Sequence, residues 1–405
     1  MDTATLRPRL EVADVLRTYG DAYRDRHPVS PTQAKVMRRL VSCRTAALGG
    51  HVDACTGCGF FRVSYNSCRD RHCPKCQAGK RAAWLDERLE RLLPVPYFHV
   101  VFTLPDALHP LVLQNQRALY DLLFRAASAT LLTLAADPNR LGAQVGFTAI
   151  LHTWGQNLLF HPHLHCVVTG GGLSPNGDRW VAGNARYFLP VRVLGKLFRG
   201  KFLASLRAAY AAGDLTLTGT AGELADPPVF QRLIDELYRR AWVVYAQPPF
   251  GSSEHVFRYL GRYSHRVAIA NSRLVSVDDG HVSFQWKDYA DGSRVKVMRL
   301  TADEFLRRFL LHVLPKGFVR IRHYGLMASS NVATKLPRCR VLLQRPTPNR
   351  PGPKKTWIDR VLEWTGVDPT RCPHCKGVLI RLPMDTPPPI PSGSATPTRS
   401  RVDTS

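Results

Sequence analysis

Apolar side chains recur at helical spacing near the start of the chain, at Leu10, Val12, Val15 and Leu16 and again at Val36, Met37 and Leu40, which predicts helices within 5–45. The segment from His27 to Pro31 divides them in two, with Ser30 and Pro31 as an N-cap and first-turn pair. Periodicity then disappears over 43–80, where Cys, Gly, Arg and Lys dominate, as in a small fold held by metal instead of a large core. A helix is expected over 82–93, stopping before Pro94. Farther on, 97–104, 143–154 and 163–170 read as strands around a long helix or helix pair at 106–135. That succession predicts an α+β fold with an antiparallel sheet. Helices are expected over 190–212, 228–246 and 253–264, hairpin strands over 273–289 and 294–300, and a last helix over 301–314. A Pro-rich basic linker at 345–356 and a Pro/Ser/Thr tail at 383–405 follow, the tail expected to be disordered. There is no internal repeat.

Charge narrows the class. Lys and Arg number 56 against 31 Asp and Glu in 405 residues, a formal net charge of +25, so the partner should be a polyanion. A membrane surface would want a basic amphipathic helix or a lipidation signal, and neither is evident. No run of eighteen apolar residues occurs, and the N-terminus carries acids and arginines where a signal peptide needs an apolar stretch, so a cytoplasmic protein is expected.

Ten cysteines in such a chain should be reduced. Random placement would give roughly 0.25 Cys-x-x-Cys pairs; this chain has three. Cys55, Cys58, Cys73 and Cys76 form two pairs fourteen residues apart, each in a Gly- or Pro-containing turn, and read as the ligands of a structural zinc ribbon. Cys43, His51, Cys68 and His72 lie close enough to compete. Cys372 and Cys375 are half of a second zinc site, with Cys339 or His374 as partners to consider.

His163 and His165 flank Leu164 on a strand, so both imidazoles share one face and can hold a divalent ion. Tyr259 and Tyr263 are four residues apart on an expected helix, with Arg258, Arg262 and Arg266 as a second ridge that suits a DNA phosphate. Taken singly, such tyrosines more often serve packing. Together and in order, HPHLHCVVTGGGL and YLGRYSHRVAI resemble the histidine and tyrosine motifs of the two-tyrosine rolling-circle transposases of HUH type, the IS91 group of insertion sequences. The early CxxC pairs and FLLHVLPKGFVRIRHYGLMA extend the resemblance over roughly 30–330.

The resemblance implies a ferredoxin-like or RRM-like catalytic core with the histidine strand central and the tyrosine helix across it. It implies an HUH-type DNA strand transferase whose tyrosines, beside Mg2+ or Mn2+, nick single-stranded insertion-sequence ends and target through a 5′-phosphotyrosine and rejoin them. HUH sites take a third ligand from a nearby polar side chain; Gln156 is chosen, with His161 and His152 as alternatives. A nucleoid-associated protein without membrane partners is expected. The domains then read as N-terminal helices (1–42), a zinc-ribbon DNA-binding domain (43–92), an HUH catalytic domain with its tyrosine helix (93–275), a C-terminal extension (276–345), a basic linker with a CxxC knuckle (346–382) and the tail (383–405). A plasmid or phage replication initiator shares the chemistry, and a noncatalytic zinc-ribbon regulator would explain charge and cysteines but not the paired motifs.

Overall fold

The computed structural model describes residues 10–184, 189–247, 268–344 and 355–384. The helix expected over 253–264, with Arg258, Tyr259, Arg262 and Tyr263, lies outside the described residues, as do Arg266 and nearly all of the tail.

Helices α1 (Val12–Arg26) and α2 (Pro31–Ser42) form as the periodicity predicts. At α2 the Ser30 hydroxyl accepts from the Gln33 N–H at 3.2 Å while the Gln33 side chain accepts from the Ser30 N–H at 2.8 Å, a reciprocal cap. The Cys-rich region holds strands β1 (Gly50–Cys55) and β2 (Phe61–Tyr65), followed by α3 (Ala78–Leu89).

The central domain runs β3 (Tyr97–Thr103), α4 (His109–Gln114), α5 (Gln116–Ala136), β4 (Gly146–Trp154), β5 (Phe160–Thr169), a small pair β6 (Gly171–Leu173) and β7 (Trp180–Ala182), α6 (Val191–Ala211), α7 (Pro227–Arg239) and β8 (Val244–Gln247). Its sheet is antiparallel in the order β12-β4-β5-β3-β8, where β12 is Ile321–Gly325. Without β12 this is the β-α-β-β-α-β succession and strand order of a ferredoxin-like fold, with β5 and β3 as the two inner strands. The fold is α+β, as expected.

Helix α3 ends at Leu89, short of the 82–93 expected, and two elements of the central domain differ from expectation. The helix expected over 228–246 stops at Arg239, and its last part becomes edge strand β8. Trp242, Val243, Val244 and Tyr245 suit a pleated surface better than a helix, and β3 offers the open edge. The second is β12, an added edge strand whose partner β4 lies some 170 residues earlier, so no local pattern announces it.

Strand alternation sends Leu164, Cys166 and Val168 of β5, with Val100 and Phe102 of β3 and Phe147 and Leu151 of β4, into one core with α5 and α6. Among the described residues α5 is the one helix long and apolar enough to cross a membrane, but Leu119, Leu123, Phe124 and Leu131 are buried in that core.

A second unit follows: an antiparallel sheet of β9 (Leu274–Asp278), β10 (His281–Asp288) and β11 (Arg294–Thr301), then α8 (Ala302–Leu311). Phe284, Phe305 and Phe309 pack against Val15, Leu16 and Met37 of α1 and α2. Leu158, in the β4–β5 loop, is buried in the same cluster at φ 62°, a conformation costly for leucine and held here by packing. Two arginines clamp that loop further, Arg273 on the Gln156 carbonyl and Arg308 on the Asn157 carbonyl. The remaining α-helices among the described residues are α9 (Ser329–Val332), α10 (Lys335–Leu342) and α11 (Trp357–Thr365), before strand β13 (Leu379–Pro383).

Where the two units meet, His312 is buried; its Nε2–H donates to the Leu158 carbonyl at 3.0 Å and Nδ1 takes the Thr153 hydroxyl at 3.2 Å, the pattern of a neutral ring. Burial pushes it down to about 4. Because the folded value lies below the unfolded one, the unfolded chain takes up this proton first. The stabilisation is therefore complete above about pH 6.5 and is lost as pH falls toward the folded value, by roughly 3 kcal/mol for this one group. Denaturant unfolding at a series of pH values should show that loss, and His312→Gln should make the acid limb shallower by about one proton. On the other side of the sheet, Leu164→Ala should cost about 2–5 kcal/mol in the same assay, since its side chain is wholly buried.

Candidate metal centre and cysteine clusters

On the face of the central sheet opposite α5 and α6, the register gathers histidines. His163 of β5 lies directly across from His152 of β4 and from Thr103 of β3; His165 lies across from Ile150 and Val101. Residues so paired share a face. Ligand nitrogens of His152, His163 and His165 therefore lie within 4.8 Å of one another, and all three residues are buried. Nε2 of His163 is 3.0 Å from Nε2 of His165.

Each of the paired imidazoles has its far nitrogen engaged. His163 Nδ1–H donates to the His161 carbonyl at 2.6 Å, which leaves Nε2 with the lone pair. His165 Nδ1 is 2.8 Å from Nε2 of His99, one register step along β3, with the rings stacked at 5.0 Å. Burial lowers His163 to about 3 and His165 well below the usual imidazole range. Neutral imidazoles with outer nitrogens fixed by hydrogen bonds are the donor set that a divalent metal needs.

These rings form the floor of a cavity of about 590 Å³. Its walls come from the β4–β5 loop, including Gln156, from His161 at the start of β5, and from the end of β10 and its turn, where Trp286, Lys287 and Tyr289 sit. Gln156 is placed at the loop, its amide nitrogen 3.5 Å from the Tyr289 hydroxyl. Lys287 lies 5.7 Å from the Tyr289 ring centre. An aromatic surface with a cation beside it suits a nucleobase and its phosphate. No local motif marks this hairpin rim, and His99 is marked in the sequence by nothing more than being a lone histidine in the apolar run YFHVVFTL.

The cysteines sort differently from the expected ribbon. Cys55 and Cys58 do not share a site with Cys73 and Cys76. One cluster is Cys43, Cys68, Cys73 and Cys76; the other is Cys55, Cys58, Cys372 and Cys375. Spacing along the chain misled because folding, not sequence proximity, chooses the partner pair. Of the competitors, Cys43 and Cys68 are in the first cluster. His72 is engaged on both nitrogens, Nδ1 with Asp70 at 2.9 Å and Nε2 accepting from the Leu314 N–H at 3.2 Å. His51 faces Asp53, Cys339 lies in an apolar cluster beside Leu93 and Tyr97, and His374 packs on Phe60.

In the first cluster Sγ–Sγ separations are 3.5 Å for Cys43–Cys73 and 3.7 Å for Cys68–Cys76. A tetrahedral ion with Zn–S bonds of about 2.3 Å sets its sulfurs about 3.8 Å apart, so the four thiols fit zinc. Hydrogen bonds from Cys43, Cys68 and Cys73 hold the Cys76 thiol far below its ordinary range, and the shared thiol bonds bring Cys43 down to about 7.

Comparison with known proteins agrees with both halves of this architecture. The family described as "Transposase zinc-binding domain" matches residues 15–104, and the family described as "Putative transposase" matches residues 146–334. The chain is 53% identical over 376 residues to "Putative transposase y4qJ" of Sinorhizobium fredii (strain NBRC 101917 / NGR234), covering 92% of this chain and 94% of that protein. It is 30% identical over 362 residues to "Transposase for insertion sequence element IS801" of Pseudomonas savastanoi pv. phaseolicola, covering 86% of this chain and 83% of that protein. No solved structure matches. Since the likeness runs through the cysteine-rich module and the histidine-bearing domain alike, the chain belongs to the IS91 family of insertion-sequence transposases.

Proposed function

We propose that this transposase is an HUH-type strand transferase that nicks and rejoins single-stranded DNA at its element's ends and target by a rolling-circle route. Tyr259 and Tyr263 are its nucleophiles, and His152, His163 and His165 hold Mg2+ or Mn2+. The observation that carries the reading is the convergence of three buried imidazoles on the floor of a cavity with a cationic, aromatic rim. In this reading His152 takes the ligand position that sequence analysis gave to Gln156, because its register partner is His163 itself, and Gln156 works from the cavity mouth.

When bound, the ion would polarise the scissile phosphate and offset charge in the transition state. The protein's own part is to orient. His161 and His99 fix the ring planes of His163 and His165, and burial keeps these imidazoles unprotonated at neutral pH. Lys287 and Tyr289 would steady the strand at the rim. A tyrosine oxygen attacks phosphorus as its proton leaves, the bond from phosphorus to the 3′ oxygen breaks, and that oxygen is protonated. The products are a 5′-phosphotyrosine and a free 3′-hydroxyl. One phosphoester replaces another, so a 3′-hydroxyl can reverse the exchange without a nucleotide cofactor, and two tyrosines allow two strands to be held at once.

A labelled single-stranded oligonucleotide carrying an element end, incubated with Mn2+, should yield a covalent adduct that resists denaturation. Tyr259→Phe combined with Tyr263→Phe should abolish it. His152→Ala, His163→Ala and His165→Ala should each abolish it while gel-shift affinity changes little, because phosphate affinity comes from dispersed Lys and Arg. Gln156→Ala should be milder than His152→Ala; the reverse order would return the third ligand position to Gln156. Adduct from the double phenylalanine variant would overturn the nucleophile assignment. His99→Ala should weaken Mn2+ binding about 10–100-fold in direct titration, and His99→Gln, which keeps an acceptor toward His165, should recover part of it.

A further inference from the structure

The second cysteine cluster draws its ligands from opposite ends of the chain. Cys55 and Cys58 lie at the end of β1, while Cys372 and Cys375 lie more than 300 residues later, beyond the stretches matched by either family. Sγ of Cys55 is 3.4 Å from Sγ of Cys375, and Sγ of Cys58 is 3.6 Å from Sγ of Cys372. These separations are far beyond a disulfide bond of about 2.05 Å and close to the roughly 3.8 Å edge of a zinc–thiolate tetrahedron.

The two turns are built alike. In the first, the Cys55 N–H donates to the Phe60 carbonyl at 2.8 Å; in the second, the Cys372 N–H donates to the Gly377 carbonyl at 2.8 Å, so each closes over five residues. Each turns through a left-handed residue just after its second cysteine, Gly59 at φ 74° and Lys376 at φ 63°. Gly377 passes so close that an added Cβ would meet the sulfurs of Cys375 and Cys55 at 3.2 and 3.4 Å.

Strand β13 continues the arrangement by pairing antiparallel with β1, from His51 opposite Pro383 to Cys55 opposite Leu379. Buried Asp53 ties the strands together, accepting from Arg62 at 2.8 Å and Arg381 at 3.1 Å. Yet among the described residues the apolar cluster beside these thiols is small, Cys55, Phe60 and Cys372 with Cys58 and Leu379 against it. A core that small does not hold a fold without a metal or cross-link.

We infer that Cys55, Cys58, Cys372 and Cys375 form a second structural zinc site, a ribbon with one knuckle from each end of the chain, whose ion clasps segment 355–384 onto the N-terminal zinc-binding domain. The purified full-length chain should contain two zinc ions by elemental analysis. Cys372→Ser combined with Cys375→Ser should reduce this to one, and adding Cys55→Ser and Cys58→Ser should remove no more. Cys43→Ser, in the other cluster, should remove a different ion and add to the loss. Wild-type protein provides a check that needs no variant: the exposed Cys375 and its neighbour Cys372 should resist iodoacetamide until a chelator is added. One zinc per wild-type chain, an unchanged count in the Cys372/Cys375 variant, or prompt alkylation of Cys375 in the untreated protein would each overturn the site.

Discussion

The register of β5 between β3 and β4 is the constraint on which the rest depends. A strand shows alternate residues to opposite faces, so one pairing register decides both what enters the helix-covered core and what enters the cavity. With Leu164 opposite Phe102 and Leu151, the apolar set is buried; the same register leaves His163, His165, His152 and His99 together on the other side. A slip by one residue would bury imidazoles against α5 and α6 and turn leucine into the cavity. The free energy of core burial thereby maintains the alignment of the histidine-bearing face.

Burial has a chemical consequence as well as a geometric one. Removal from water makes charging these imidazoles unfavourable, and the neighbouring imidazoles within a few ångströms make it more so, hence the downward shifts at His163 and His165. The outer hydrogen bonds to the His161 carbonyl and to His99 then decide which nitrogen keeps its lone pair. The β10 turn, fixed to the β4–β5 loop by Arg273, Arg308 and the buried Leu158, supplies the rim. Floor and rim thus come from segments more than a hundred residues apart.

The cysteine-rich region relies on a different force. Its apolar side chains are few, and thiol clusters stand where a larger domain would place a core. The first cluster borders the packing of α1 and α2 on the second unit, since Cys43 and Cys73 belong to that apolar cluster. In the second, two knuckles with matching turns meet beside an antiparallel pair, and charge reinforces it through Asp53.

Local chemistry was readable in the sequence wherever its cause was local. Helical spacing and the Ser30–Gln33 cap predict α1 and α2, alternation in HLHCVVTG puts two imidazoles on one face, and the CxxC turns announce metal sites. What the sequence could not determine are choices among distant partners. Cys55–Cys58 selects Cys372–Cys375 instead of the nearer pair, His152 joins His163 because β4 lies beside β5, and the run from Trp242 to Tyr245 becomes a strand because β3 has an open edge. The physical reason is the same in each case: backbone propensity and side-chain period act within a few residues. Pairing is settled by burial and hydrogen bonding over the whole chain, which only the folded structure expresses.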